Sequence, residues 1–185
     1  MGGIIIEDTR NQPGKHENIR RYCDRNEIRI VRSKLVVGDY SLPTSSEVCV
    51  DTKYGLQEVY GNLVQAHDRF ARECDLAHEL GIRLVVLVEE DGIPDVHHVH
   101  EWRNPRYDRY ITLMCGHESG RYLKTKLPEK KPIDSPRLER MMLTFAEHHH
   151  CEWRFCDKAK TGEVLMEILT NGIQSNTDAQ PARLL

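Results

Sequence analysis

The sequence predicts a three-layer α/β fold built around a central mixed β-sheet. Three observations carry that prediction. Short apolar segments alternate with longer segments of helical periodicity. One segment, Leu84-Val85-Val86-Leu87-Val88, is continuously apolar, as a strand buried on both faces must be. Carboxylates recur where the predicted strands end, at Asp8, Asp39, Asp51 and Glu89. With 185 residues, 39% of them hydrophobic and 30% charged, the chain is long enough to bury roughly 70% of its unfolded surface. It needs neither disulfides nor a metal to fold.

Each element follows in order. Ile4-Ile5-Ile6 reads as a short central strand running into Glu7-Asp8. Past the Gln12-Pro13-Gly14 break, Ile19, Tyr22 and Cys23 predict a helix over 15–25. Residues 28–31 and 34–37 read as two strands, the second closed by Gly38-Asp39-Tyr40 and a turn near Pro43, and 47–51 alternates as a strand again. Leu56, Val59, Tyr60, Leu63 and Val64, then Phe70, Cys74, Ala77 and Leu80, predict one long helix stopped by Gly81. The apolar strand Arg83–Glu89 follows. Residues 91–134, rich in His, Arg, Lys and Pro, read as an irregular basic insertion. Ser135-Pro136, a serine cap with a first-turn proline, opens a helix carrying Leu138, Met141, Met142 and Phe145. A strand at Glu152–Cys156 and a helix carrying Val164, Leu165, Ile168 and Leu169, ended by Asn171-Gly172, complete a single domain over 1–172. Residues 173–185 are expected to form a flexible tail.

Composition excludes several classes. Twenty-six basic against 29 acidic side chains give a net charge of −3, so a nucleic-acid partner must be met by a local basic surface. No apolar run approaches the ~20 residues of a membrane span. The N-terminus lacks the basic region of a secretory signal, so the six cysteines read as reduced thiols and a cytoplasmic setting is expected. There is no phosphate-binding glycine loop, dinucleotide fingerprint or nucleophile elbow.

Asp51-Thr52-Lys53 is an acid-x-lysine triplet at a strand end. Strand residues two apart project from one face, so Asp51 and Lys53 converge on one point. Asp39, twelve residues earlier, is within reach of a turn and a return strand. Such a cluster suits a hard divalent ion with one or two carboxylates, waters and phosphate oxygens. A neighbouring lysine can orient the attacking water and offset developing charge.

The chain resembles the nuclease domain of the XPF-type structure-specific endonucleases, a branch of the PD-(D/E)XK superfamily with a restriction-endonuclease-like fold. The segments that carry the likeness are Ile4-Ile5-Ile6-Glu7-Asp8-Thr9-Arg10, Leu35-Val36-Val37-Gly38-Asp39-Tyr40, Val50-Asp51-Thr52-Lys53, His67-Asp68-Arg69-Phe70 and Leu87-Val88-Glu89-Glu90, in order over residues 3–90. It is most similar to small single-domain members from phages and prophages, through Trp102-Arg103-Asn104-Pro105-Arg106, the 138–145 helix and the closing segment.

The resemblance implies hydrolysis of DNA phosphodiesters with Mg²⁺ or Mn²⁺, branched or flap DNA being candidate substrates in replication, recombination or repair, inside the bacterial host if phage-encoded. It implies that Asp39 and Asp51 hold the metal with Asp8 in support, that Lys53 is the catalytic lysine, and that Arg10 and Arg69 contact DNA. Three departures stand out. The family's E-R-K is D-T-K here; the acid four residues beyond the lysine is Gln57, a candidate phosphate-orienting contact, with Glu58 beside it; and no tandem helix-hairpin-helix segment follows. Dimerisation through the nuclease domain itself is left open.

Arg103, Arg106, Arg109, Arg121, Lys124, Lys126, Lys130 and Lys131, interleaved with Trp102, Tyr107, Tyr110 and Tyr122, form the pattern of a phosphate-tracking, base-stacking surface, with Arg103 and Arg106 its foremost DNA contacts. Two rival classes are a catalytically silent DNA-structure-binding module of the same fold and a zinc-stabilised interaction protein. For the latter, His97, His98, His100, His148, His149, His150, Cys115-x-His117 and Cys151-x4-Cys156 match no standard zinc spacing.

Overall fold

The computed structural model describes residues 3–12, 14–121 and 126–177, with side chains up to Asn171. Six strands form one mixed sheet in the order β2-β1-β3-β4-β5-β6. They are β1 (Ile4–Asp8), β2 (Arg29–Ser33), β3 (Tyr40–Leu42), β4 (Ser45–Lys53), β5 (Arg83–Glu89) and β6 (Glu152–Cys156). The three-residue β3 runs antiparallel between β1 and β4, while β1–β2, β4–β5 and β5–β6 are parallel pairs.

Helices α1 (Glu17–Arg25) and α6 (Thr161–Thr177) cover one face; α2 (Leu56–Val64), α3 (His67–Glu79) and α5 (Ser135–His149) cover the other. Strand periodicity sorts the core between them. Leu84, Val86 and Val88 of β5 pack with Leu56, Phe70, Met142 and Phe145. Val85 and Leu87 pack with Ile19, Cys23, Leu165 and Leu169. The three-layer α/β prediction holds, and both faces of β5 are buried as its sequence requires.

Four local expectations are corrected. Residues 34–39 are not a strand: Gly38 adopts φ +71°, and the Leu35 N–H is spent on the Asp8 carboxylate, so Val37 is buried from a loop while Val36 stays exposed. The predicted long helix is two, broken at Gln65-Ala66. The 91–134 segment contains a 3-10 turn at Val96–Glu101 and a 14-residue helix, α4 (Pro105–Glu118), started by Asn104 accepting the Arg106 N–H with proline in the first turn. Only Gly116 of α4 is buried, which is why its polar surroundings masked it. The cap of α5 is Asp134, whose carboxylate accepts the Arg137 N–H; Ser135 instead donates to the Trp102 carbonyl. In addition, α6 continues through Thr177, and the rest of the expected tail, 178–185, lies outside the described residues.

Of the six cysteines, all reduced, only Cys115 on α4 is exposed. Burial pushes the Cys23, Cys49 and Cys156 thiols up to about 11. Among the described residues no three His, Cys, Asp or Glu groups form a ready metal cage. The histidines of the imagined zinc site have other partners: His98 with Asp95, His100 with Glu139 and His149 with Asp75.

Candidate active site

A polar cavity of about 300 Å³ opens where β4 ends, and Asp39, Asp51, Lys53, Glu58, Arg69 and Glu73 line it. Odd-numbered Asp51 and Lys53 leave β4 on the α2/α3 side, as their spacing predicts. Asp39 precedes β3, its backbone fixed on both flanks: its carbonyl accepts the Asp8 N–H at 2.7 Å and its N–H donates to the Val50 carbonyl at 2.8 Å. Gly38 makes this approach possible. A Cβ there would meet the Val50 carbonyl oxygen at 3.1 Å, in a left-handed backbone conformation that favours glycine.

The charges are strongly coupled. Asp51 is buried, and its Oδ2 lies 2.5 Å from Lys53 Nζ yet accepts no properly directed hydrogen bond. Burial pushes the Asp51 carboxyl up to about 6, with Asp39 and Glu73 pushing the same way and Lys53 opposing. Burial works against the Lys53 ammonium, but the Asp51 carboxylate outweighs it and holds the lysine above its usual range. The ammonium also lies 5.1 Å from the centre of the Phe70 ring.

This donor set fits a hard divalent cation. Asp39 accepts both its described hydrogen bonds on Oδ2, leaving Oδ1 without one, and Asp51 Oδ2 has the Lys53 ammonium beside it but no well-directed hydrogen bond. Two such carboxylates, with the remaining positions filled by water and phosphate oxygens, are what Mg²⁺ or Mn²⁺ accepts.

Other expected residues stand elsewhere. Both oxygens of Asp8 are occupied: Oδ1 accepts from the Arg10 N–H and Nε, and Oδ2 from Arg10 Nη2 and the Leu35 N–H. Burial alone would raise its pKa; the Arg10 bonds outweigh that and hold it below the carboxylate range. Asp8 therefore anchors Arg10 and the 34–39 loop rather than lining the cavity. Arg10, half exposed, and Arg69 do line it. Gln57 turns the other way, donating to Asn104 Oδ1 at 3.4 Å. Its neighbour Glu58 takes the wall, bonded to Lys15 Nζ at 2.7 Å and accepting the Tyr54 N–H at 2.8 Å.

Arg103 and Arg106 do not reach the acidic cavity. Arg103 is exposed beside Asp108. Arg106 lies over the Tyr60 ring at 5.1 Å, on the wall of a second, wider groove of about 630 Å³ with Arg109, Tyr110, Lys126, Lys130 and Lys131.

The largest omission from the sequence reading is Glu73, which accepts the Gly38 N–H at 3.1 Å and faces the cavity. Its spacing of one helical turn from Arg69 and Phe70 was the available signal.

No protein-family model and no curated protein matches the sequence. Among solved structures, the chain superposes on XPF from Aeropyrum pernix in complex with DNA, with a TM-score of 0.55 and 14% identity over 98% of this chain and 68% of that one. A second structure, XPF from Aeropyrum pernix, gives 0.57 and 14% over 95% and 67%. The fold is shared with those XPF chains.

Proposed function

We propose that this XPF-like chain is a metal-dependent DNA endonuclease of PD-(D/E)XK type. The observation that carries the reading is the meeting of Asp39, Asp51 and Lys53 in one cavity, with the buried Asp51 carboxylate held against the Lys53 ammonium. Asp39 and Asp51 would hold Mg²⁺ or Mn²⁺. When bound, that ion supplies Lewis-acid polarisation of the scissile phosphate and lowers the pKa of a bound water. Lys53, kept protonated by Asp51, orients the attacking water and offsets charge growing on the phosphoryl oxygens. Arg10 and Arg69, on the cavity rim, contact the flanking phosphates, with Arg10 aimed by Asp8.

The groove beside α4 guides the substrate. Arg106, Arg109, Lys126, Lys130 and Lys131 supply phosphate contacts, and Tyr110 offers a face to bases. Arg103 adds charge at its border, and Gln57 ties α2 to the start of α4. Structural kinship with a DNA-bound XPF supports DNA as the partner. Branched or flap DNA, handled in phage or prophage replication, recombination or repair in a bacterial cytoplasm, is the setting this reading favours.

The test is incubation of labelled duplex, single-stranded, flap and four-way DNA with Mg²⁺ or Mn²⁺ and with EDTA, wild type beside Asp51→Ala. Cleavage by wild type alone, lost with EDTA, is the expected result. Binding by both proteins without cleavage by either would replace it with the silent DNA-binding module, for which the arginine-to-threonine change at Thr52 already speaks.

A further inference from the structure

Opposite the catalytic face of β4, a chain of buried polar groups ends on Asp39. Thr52 leaves β4 on the α1/α6 side, and its hydroxyl donates to Asp39 Oδ2 at 2.6 Å while its N–H donates to the same oxygen at 3.0 Å. Behind it, His16 Nε2 lies 3.0 Å from Thr52 Oγ1, and His16 Nδ1 lies 2.7 Å from Glu89 Oε1. His16 and Glu89 are almost wholly buried, at the start of α1 and the end of β5.

Counting donors fixes the direction of the chain. The threonine has one hydroxyl proton, and the Asp39 carboxylate takes it. Thr52 Oγ1 must then accept, so His16 Nε2 carries a proton. On its other side, His16 Nδ1 is held against Glu89 Oε1. Each link is thereby oriented by the one behind it, and Glu89 fixes the orientation of the His16 ring.

We infer that His16, held by Glu89, is a positioning residue that acts through the Thr52 hydroxyl to fix Asp39, occupying its Oδ2 and presenting Oδ1 to a divalent cation. The inference rests on the nuclease reading, which makes Asp39 a metal ligand. It also gives Thr52, at the position where the resemblance expects arginine, a function of its own. Outer partners of this kind orient metal ligands, and their removal costs about 10- to 100-fold in affinity.

The experiment measures Mn²⁺ affinity by calorimetry and electron paramagnetic resonance, with no DNA present, on wild type, Thr52→Val, Thr52→Ser, His16→Gln and Asp39→Asn. Circular dichroism establishes that each is folded. Thr52→Val keeps the shape and removes the hydroxyl, so it carries the test even if His16→Gln does not fold. Affinity should fall about 10- to 100-fold in Thr52→Val and His16→Gln, and Thr52→Ser should recover most of it. The double variant should be little worse than either single one, since both cut one chain. With DNA, kcat should fall while KM holds. In the metal-free wild type, a His16 Nε2–H resonance protected from exchange should appear, and it should shift in Thr52→Val.

Two failures are separable. Wild-type affinity in Thr52→Val and His16→Gln, with only a lowered Tm, would overturn the positioning role and leave the nuclease reading intact. Absence of Mn²⁺ binding by wild type, matched by Asp39→Asn, would remove the metal reading and this inference with it.

Discussion

The acidic cavity and the basic groove are built in opposite ways. Every candidate reacting group of the cavity hangs from a sheet strand or a residue bonded to one. Asp51 and Lys53 are on β4, Asp39 is pinned between β1 and β4, and all are backed by buried residues. The groove leans on α4, a helix with one buried residue, and on the 126–133 segment. Bond-making groups need placement to fractions of an ångström, and a sheet supplies it. Phosphate contacts act as long-range charge and tolerate a looser mount. Chemistry and grip should therefore separate in mutants.

The largest effect should come from the cavity. Lys53→Ala or Asp51→Ala should lower kcat by at least about 10²–10³-fold with little change in DNA affinity, in single-turnover assays. EDTA should have the same effect on wild type. The groove comes next. Alanine at Arg106, Lys130 and Lys131 together should raise KM on the order of tenfold with kcat retained, and reduce the salt dependence of binding by about one unit of slope for each phosphate no longer neutralised. A fall in kcat instead would mean that α4 shapes the reacting geometry, and the contrast would collapse. Gly38→Ala should cost about 1–3 kcal/mol in denaturant titration, through left-handed strain and collision with the Val50 carbonyl, and should also depress cleavage by shifting Asp39. The smallest effect belongs to Arg83, whose bidentate pair with Glu152 is half exposed at the start of β5. Arg83→Ala should cost under about 1 kcal/mol and leave cleavage unchanged.

What could be read in advance follows the same division. Asp51, Lys53 and the β5 run were legible because strand periodicity alone fixes their faces. Glu73 was harder, since it reaches the cavity only after the break at Gln65-Ala66, which no glycine or proline marks. Helix α4 was signalled after all by Asn104-Pro105 and by Tyr107, Tyr110, Ile111 and Met114 at helical spacing, beneath its charge. The role read for Asp8 moved because a nearby arginine claimed both its oxygens. Gln57 moved because its helix face meets Asn104 rather than the site. His16 and Glu89 meet across 73 residues of chain, and no local pattern announces that contact.

The distribution of cysteines has a practical consequence. Five thiols are shielded, and Cys115 stands exposed on α4, the helix that flanks the basic groove. A maleimide dye added to the unmodified protein would attach at one place, beside the path proposed for the nucleic acid. Its emission would then follow association and release of DNA in real time, without an engineered residue to perturb either.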